Sequence, residues 1–389
     1  MAVLELYNRI SESIDNHKVS AGVFIDLSKA FDTINHKRLL NKLEHYGFRG
    51  LALQWLKDYL YNRKQYVLFK NHSSSILDVN CGVPQGSILG PLLFLLYIND
   101  IESSSKLLRF LLFADDTNLF LSANSLSELI SALNCELNCL SDWFRANLLS
   151  INIQKTKYIL FGAKQKLRCA PPFNLAIDGI SLDRVTFTKF LGVYIDEDLN
   201  WKPHTSYISL KISKSLGVIN RVKSILPCDL LLSLYYTLIH PYLLFCNIIW
   251  GGASKLALHR LVCLQKRAMR ILTHSHYLAS STPLFLHLKI LKISDLYRYY
   301  ICLFMYRAKN NLLPVSCSHH TRFVNRTPRY PMRNTNDFEL MPFCTNLRRK
   351  YIGIVGPEIW HSLPLSLKTL NSEYSFKKSL FELLLEEYV

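Results

Sequence analysis

LLRFLLFADDTNLFLS, residues 107–122, is an apolar run interrupted by two adjacent aspartates, Asp115 and Asp116. Its flanks, LRFLLFA and TNLFLS, read as short strands, and the carboxylates between them as the turn of a hairpin. Type I′ turns favour Asn-Gly or Asp-Gly, and neither aspartate is a glycine, so turn chemistry alone does not explain the choice of residues. Neighbouring carboxylates repel and raise each other's pKa unless a cation neutralises them. A rigid hairpin presenting both is therefore a candidate site for a hard divalent metal, with a solvated turn as the plain alternative.

Working outward, the 389 residues can bury a large core and divide into two or three domains. With 49% hydrophobic and 12% aromatic residues, the chain is not a disordered tail. The formal net charge of +17 is unevenly spread. Residues 1–200 carry 21 Lys and Arg against 20 Asp and Glu, whereas the remainder carries 25 against 9. The second half is the half suited to a polyanion. Ten cysteines include no Cys-x-x-Cys and no histidine pair at zinc-finger spacing, which argues against a disulfide framework and a zinc knuckle. The N-terminal MAVLELYNRISESID carries acidic residues and no apolar core, so it does not read as a secretory signal. An intracellular protein of nucleus or cytoplasm, not secreted, is expected. The run from Leu230 to Gly252 is long enough to cross a bilayer, but His240, Pro241 and Asn247 interrupt it, and a buried helical hairpin fits better than a membrane span.

Along the chain, GVFIDL reads as a buried strand with Asp26 inside it. INHKRLLNKLEHYG is a helix capped by Asn35 and stopped by Gly47, and GLALQWLKDYLYNRKQ is a second helix. QYVLF and SILDVN pair as strands, CGVPQGSILGPLLFLLYINDI is a loop feeding an apolar helix, and a helix from about Ser125 to Asn147 covers the hairpin. SINIQKTKYILFG and TFTKFLGVYID supply further strands, an α+β layout. From Trp201 the helical period dominates, with Arg260, Lys266, Arg267 and Arg270 on one helix face. Arg322, Arg326, Arg329 and Arg333 follow at helical spacing, but Pro328 and Pro331 forbid a regular helix, leaving an extended basic arm.

A lone aspartate in an apolar strand is costly unless paired or bound to a cation. If the strand of Asp26 neighbours the hairpin, Asp26 and Asp115 can hold two Mg²⁺ about 4 Å apart, the arrangement that stabilises the attacking and leaving oxygens of an in-line phosphoryl transfer. FIDLSKAFD, GVPQGSILGPLLF, FADD, INIQKTK and FLGVYID occur in the order and spacing of the palm motifs of reverse transcriptases. Together they closely resemble the non-LTR, LINE-type retrotransposon enzymes, while SLYYTLIHPYLLFCNIIWG and LQKRAMRIL are similar to the helical thumb of that family.

The resemblance implies a right-hand polymerase palm of antiparallel sheet with packed helices over residues 1–200. A helical thumb over 201–310 and a basic C-terminal region over 311–389 would follow. It also implies RNA-directed DNA synthesis using an RNA template, a DNA primer and deoxynucleoside triphosphates, with two Mg²⁺, or Mn²⁺ in their place. By this resemblance Asp26, Asp115 and Asp116 are catalytic, with the Leu27 carbonyl a further metal ligand. Lys155 resembles the acid beside the pyrophosphate, or is a solvated strand-end lysine. Phe31 is similar to the ring that excludes a ribose 2′-hydroxyl, or is plain core. Gln85 and Gly86 match the loop beside the templating base, where glycine permits close approach. Phe113 stands where tyrosine is commoner, keeping the ring and losing the hydroxyl. Upstream fingers with basic residues for the triphosphate are not evident, so the isolated chain is expected to extend primers weakly. The rival readings are a nucleic-acid-binding remnant without catalysis and, further off, a two-metal nuclease, in which the GVPQG loop and Phe31 have no obvious role.

Overall fold

The computed structural model describes residues 1–168, 174–323 and 338–388. In chain order its first strands are β1 (Val19–Ile25), β2 (Lys64–Gln65), β3 (Leu68–Phe69), β4 (His72–Ser73), β5 (Leu77–Asp78), β6 (Arg109–Phe113) and β7 (Asp116–Ala123). They are followed by β8 (Lys157–Phe161), β9 (Ala176–Ile177), β10 (Ile180–Ser181) and β11 (Asp183–Arg184). A five-stranded sheet runs in the order β11-β8-β1-β7-β6, antiparallel except at the edge pair of β11 with β8. Being central, β1 is buried along its length except at Phe24, and it is built from small and branched apolar residues without polar alternation.

Residues 17–186 form one compact unit. In it, helices α2 (His36–His45), α3 (Gly50–Leu60), α4 (Leu89–Ile98) and α5 (Leu126–Ala146) contribute with the sheet to one apolar core. The capping signals hold. The Asn35 side chain accepts a hydrogen bond from the Arg38 N–H at 3.0 Å, and Gly47 follows α2 with φ +98°. Ser125 caps α5 by accepting from the Glu128 N–H, and Leu126, Leu129, Leu133, Leu137, Leu140 and Phe144 form its buried stripe at helical spacing. The expected strands 65–69 and 75–80 are shorter. The pairings β2 with β5 and β3 with β4 make an exposed ribbon in which Tyr66, Val67, Leu68, Phe69, Ile76 and Leu77 all face solvent. Of residues 150–162, only Lys157–Phe161 form a strand, since Asn152–Lys155 is a turn closed by the Lys155 and Thr156 N–H groups on the Asn152 carbonyl.

The second unit joins residues 3–16 to residues 187–389. It contains helix α1 (Ala2–Asp15) and a hairpin of β12 (Phe187–Phe190) and β13 (Val193–Asp196). That hairpin turns through Leu191 and Gly192, both at positive φ, as a type I′ turn requires. Helices Lys202–Val222, Cys228–Leu238, Lys255–Leu272, Ile293–Lys309, Ile352–Ser362 and Glu373–Glu386 follow, around fully buried Trp201, Trp250 and Trp360. Residues 230–252 break into helices Cys228–Leu238, His240–Leu244 and Asn247–Trp250. Among the described residues no helix is long and apolar enough to cross a membrane. Helix α1 is tied into this unit by Tyr7 Oη donating to the Leu347 carbonyl at 2.9 Å. Arg348 donates to Asn8 and Ser11, and the Asp15 carboxylate accepts from the N–H groups of Cys344 and Thr345.

Candidate active site

Asp26 is not inside a strand: β1 ends at Ile25, and its carboxylate, rather than being buried, keeps 46% of its side-chain surface exposed. An unbroken apolar run carries no Gly or Pro to mark where pairing stops, so sequence placed the end of the strand too late. The residues after it are clamped from one side. The Asp26 carbonyl accepts from the Asn152 N–H at 2.8 Å, Leu27 bridges to Ile151, and the Ser28 N–H donates to the Ser150 carbonyl. Leu27 is consequently buried while the carboxylate before it faces outward.

In the β6–β7 hairpin, Phe113 pairs with Asp116, so the turn residues are Ala114 and Asp115, and Asp116 opens β7. Ala114 adopts φ +51°, a left-handed conformation that costs a residue with a Cβ about 1 kcal/mol. The last paired residues of β1 and β7 are Ile25 and Thr117, and one further step of that register sets Asp26 opposite Asp116. The carboxylates interact: burial, then the charges of Asp115 and Asp26, push the Asp116 pKa above the ordinary aspartate value. Three hard oxygen donors sharing unfavourable negative charge fit a divalent cation of the Mg²⁺ class. Lys155 reaches the same place, with Nζ 3.9 Å from Asp26 Oδ2 and the side chain 71% exposed.

A second cluster gathers around the GVPQG loop. The Val83 N–H donates to the Phe31 carbonyl and the Gly82 N–H to the Ile34 carbonyl, pinning this loop to the segment after Asp26. Gly82 is required there, since at φ +81° a Cβ would lie 2.7 Å from the Asp32 carbonyl oxygen. Gln85 Nε2 donates to Asp32 Oδ1 at 2.8 Å, and Gly86, also at φ +81°, is open to solvent. Phe31 is half-buried with its ring 4.7 Å from that of Phe94, a placement compatible with packing and with an exposed edge. A cavity of about 600 Å³ is lined by Lys29, Asp32, Gln85 and, from the ribbon, Arg63, Lys64 and Gln65. Sequence reading missed Arg63 and Lys64. The dipeptide was visible in YNRKQY, but only the β2–β5 pairing carries it to the loop of Gln85.

Among the basic residues of the second unit, Arg260, Lys266 and Arg267 are exposed on helix Lys255–Leu272, whose Leu261, Ala268, Met269 and Leu272 are buried. Arg270 differs, since its Nε donates to the Ala279 carbonyl at 2.8 Å and it is partly buried. Arg322 is exposed, whereas Arg326, Arg329 and Arg333 lie outside the described residues.

Residues 5–195 match the family model described as reverse transcriptase (RNA-dependent DNA polymerase). The matched stretch is a reverse transcriptase domain. Its relatives among curated proteins include the "Probable RNA-directed DNA polymerase from transposon BS" of Drosophila melanogaster, 30% identical over 293 residues, covering 72% of this chain and 32% of that protein. They also include the "RNA-directed DNA polymerase from mobile element jockey" of the same fly, 25% identical over 296 residues, covering 73% of this chain and 32% of that protein. Both point to the non-LTR retrotransposon type. The chain spans about a third of the length of the curated relatives it matches. Among solved structures it is similar to a telomerase from Candida albicans, at 12% identity and a TM-score of 0.40, covering 70% of this chain and 51% of that one.

Proposed function

We propose that the chain is the catalytic part of a longer non-LTR retrotransposon polymerase that copies an RNA template into DNA from a DNA primer and deoxynucleoside triphosphates. In this reading residues 1–200 act as palm, 201–310 as helical thumb and 311–389 as a basic region meeting phosphates. The observation that carries it is the sheet register, which sets Asp26, at the end of the central strand, opposite the Asp115-Asp116 hairpin within the stretch that matches the family.

Asp26 and Asp115, with Asp116 and the Leu27 carbonyl, are the groups that would hold two divalent cations. When bound, these stabilise charge on the attacking and leaving oxygens. The rest is done by this chain's own residues. Lys155, exposed and within 4 Å of Asp26, is placed to give a proton to the departing pyrophosphate. Phe31 closes the sugar pocket against a 2′-hydroxyl. Gln85 and Gly86 border the templating base, and Lys29, Arg63 and Lys64 offset triphosphate charge from the cavity. Exposed Arg260, Lys266 and Arg267 hold the duplex backbone, with Arg270 and Arg322 and, in the undescribed segment, Arg326, Arg329 and Arg333.

Primer extension and nuclease assays on the same preparation test this. We expect Mg²⁺-dependent extension, lowered on the order of a thousandfold in Asp115→Asn with the fold retained by circular dichroism. Extension at the wild-type rate by Asp115→Asn ends the metal assignment. Cleavage without extension returns the nuclease reading, and tight template binding without either activity returns the remnant.

A further inference from the structure

The three side chains best arranged to take a single metal ion are not the aspartates. Glu5, His319 and His320, all in the second unit, bring their donor atoms within 4.8 Å of one another, the only such trio among the described residues. Glu5 Oε2 lies 2.7 Å from His319 Nε2 and 3.7 Å from His320 Nε2, and the two imidazole rings are 4.2 Å apart between centroids. The other carboxylate oxygen, Oε1, is taken by Arg9 at 2.6 Å, which fixes the carboxylate so that Oε2 faces the histidines.

A Glu–His ion pair accounts for His319. It does not account for His320. That ring is 1% exposed, and its Nδ1 is 2.7 Å from the Tyr351 hydroxyl. A buried imidazole in its neutral form carries a proton on only one of its two nitrogens. If Nδ1 carries the proton and donates to Tyr351, then Nε2 presents a bare lone pair toward a carboxylate oxygen, two electron-rich atoms facing each other without a proton between them. If Nε2 carries the proton instead, 3.7 Å is too far for a hydrogen bond to Glu5. A cation between them resolves both cases. A neutral buried imidazole whose second nitrogen is fixed by a hydroxyl is also the usual state of a histidine metal ligand.

We propose that Glu5, His319 and His320 form a Zn²⁺ site, with water as fourth ligand on the side of His319, whose side chain is 50% exposed. Two imidazoles and one carboxylate suit zinc better than the hard cations expected at the aspartates. The site would fasten α1 to a segment 314 residues later. It is independent of the polymerase reading, which can fail without it.

The experiment uses the full chain, freed of metal with a chelator and titrated with Zn²⁺ against a chromophoric competitor. Co²⁺ then serves as a spectroscopic probe of four-coordinate geometry. We expect one tight equivalent in the wild type, weakened about a hundredfold or more in His319→Ala and in Glu5→Gln. Zinc should also raise the melting temperature of the wild type but not of the variants. His319 is exposed, so its removal should leave the fold intact, as circular dichroism would verify. Tight binding retained in His319→Ala, with the metal on cysteines or the aspartates, overturns the proposal. So does an equal loss of stability in Glu5→Gln with and without Zn²⁺, the signature of an ion pair alone.

Discussion

At Asp116 the energetics of the proposed metal site can be measured without substrate. Burial and two neighbouring carboxylates raise its folded-state pKa above that of the unfolded chain. Such a group stabilises the fold relative to its ionised state only at low pH, and ionising it as pH rises through the folded pKa costs stability. Asp116→Asn should therefore raise the melting temperature by only roughly 1–2 °C at neutral pH without divalent cations, because the side chain is only partly desolvated and the solvent it still meets screens the repulsion. The gain should vanish below the ordinary carboxylate range and shrink when Mg²⁺ is added. A gain independent of pH would trace instead to packing. At Phe31 the readout differs. Phe31→Val should raise the ratio of ribonucleotide to deoxynucleotide incorporation if the ring edge meets the sugar, besides costing about 1–3 kcal/mol for the lost contact with Phe94. An unchanged ratio with reduced stability would leave packing as its whole role. Asp26, Asp115 and Asp116 stood out in the sequence because carboxylates interrupt an apolar pattern there. The partly open setting of Asp26 was not, since the end of β1 depends on what pairs with it.

Among the elements, those with local chemistry were the readable ones. Asn35, Ser125 and Gly47 terminate helices through bonds and φ values their own residues dictate, and each sits where it was expected. The ribbon of β2 to β5 was harder, since its strands are two residues long and its side chains are nearly all exposed, so no apolar alternation fixes its register. Its consequence, Arg63 and Lys64 brought to the cavity of Gln85, is a pairing between elements that no local pattern encodes. In the second unit, two glycines make opposed predictions. Gly192, at φ +86° in the β12–β13 turn, would set a Cβ 3.0 Å from the Phe245 ring, so Gly192→Ala should destabilise by about 1–2 kcal/mol. Gly217 lies within helix Lys202–Val222 with nothing within 4 Å, and Gly217→Ala should stabilise by roughly 0.5–1 kcal/mol. Denaturant titration of both variants reads the signs, and two changes of the same sign would contradict this account of the turn.

On the scale of the whole molecule, the least legible feature was the allegiance of α1. Its buried Val3, Leu4, Leu6, Tyr7 and Ile10 make it an amphipathic helix, yet periodicity carries no address for the partner, and the expected palm boundary of 1–200 put it with the sheet that follows. The helix instead belongs with residues 187–389. A fragment of residues 17–186 should therefore remain soluble and fold cooperatively. One of residues 1–186 should expose the apolar face of α1 and associate, a contrast that sedimentation of the two would measure. If both are equally monomeric, α1 is satisfied within the first unit after all. The same arrangement sets a timetable for synthesis. The sheet-bearing unit has all its residues once Thr186 has left the ribosome, whereas α1, made before it, must wait for its partners in the second unit, from Trp201 to Leu347, to be translated. While the intervening residues are being made, this segment stays sticky and without its shelter, and chaperone capture there is the foreseeable toll of a unit assembled from segments so far apart in the sequence.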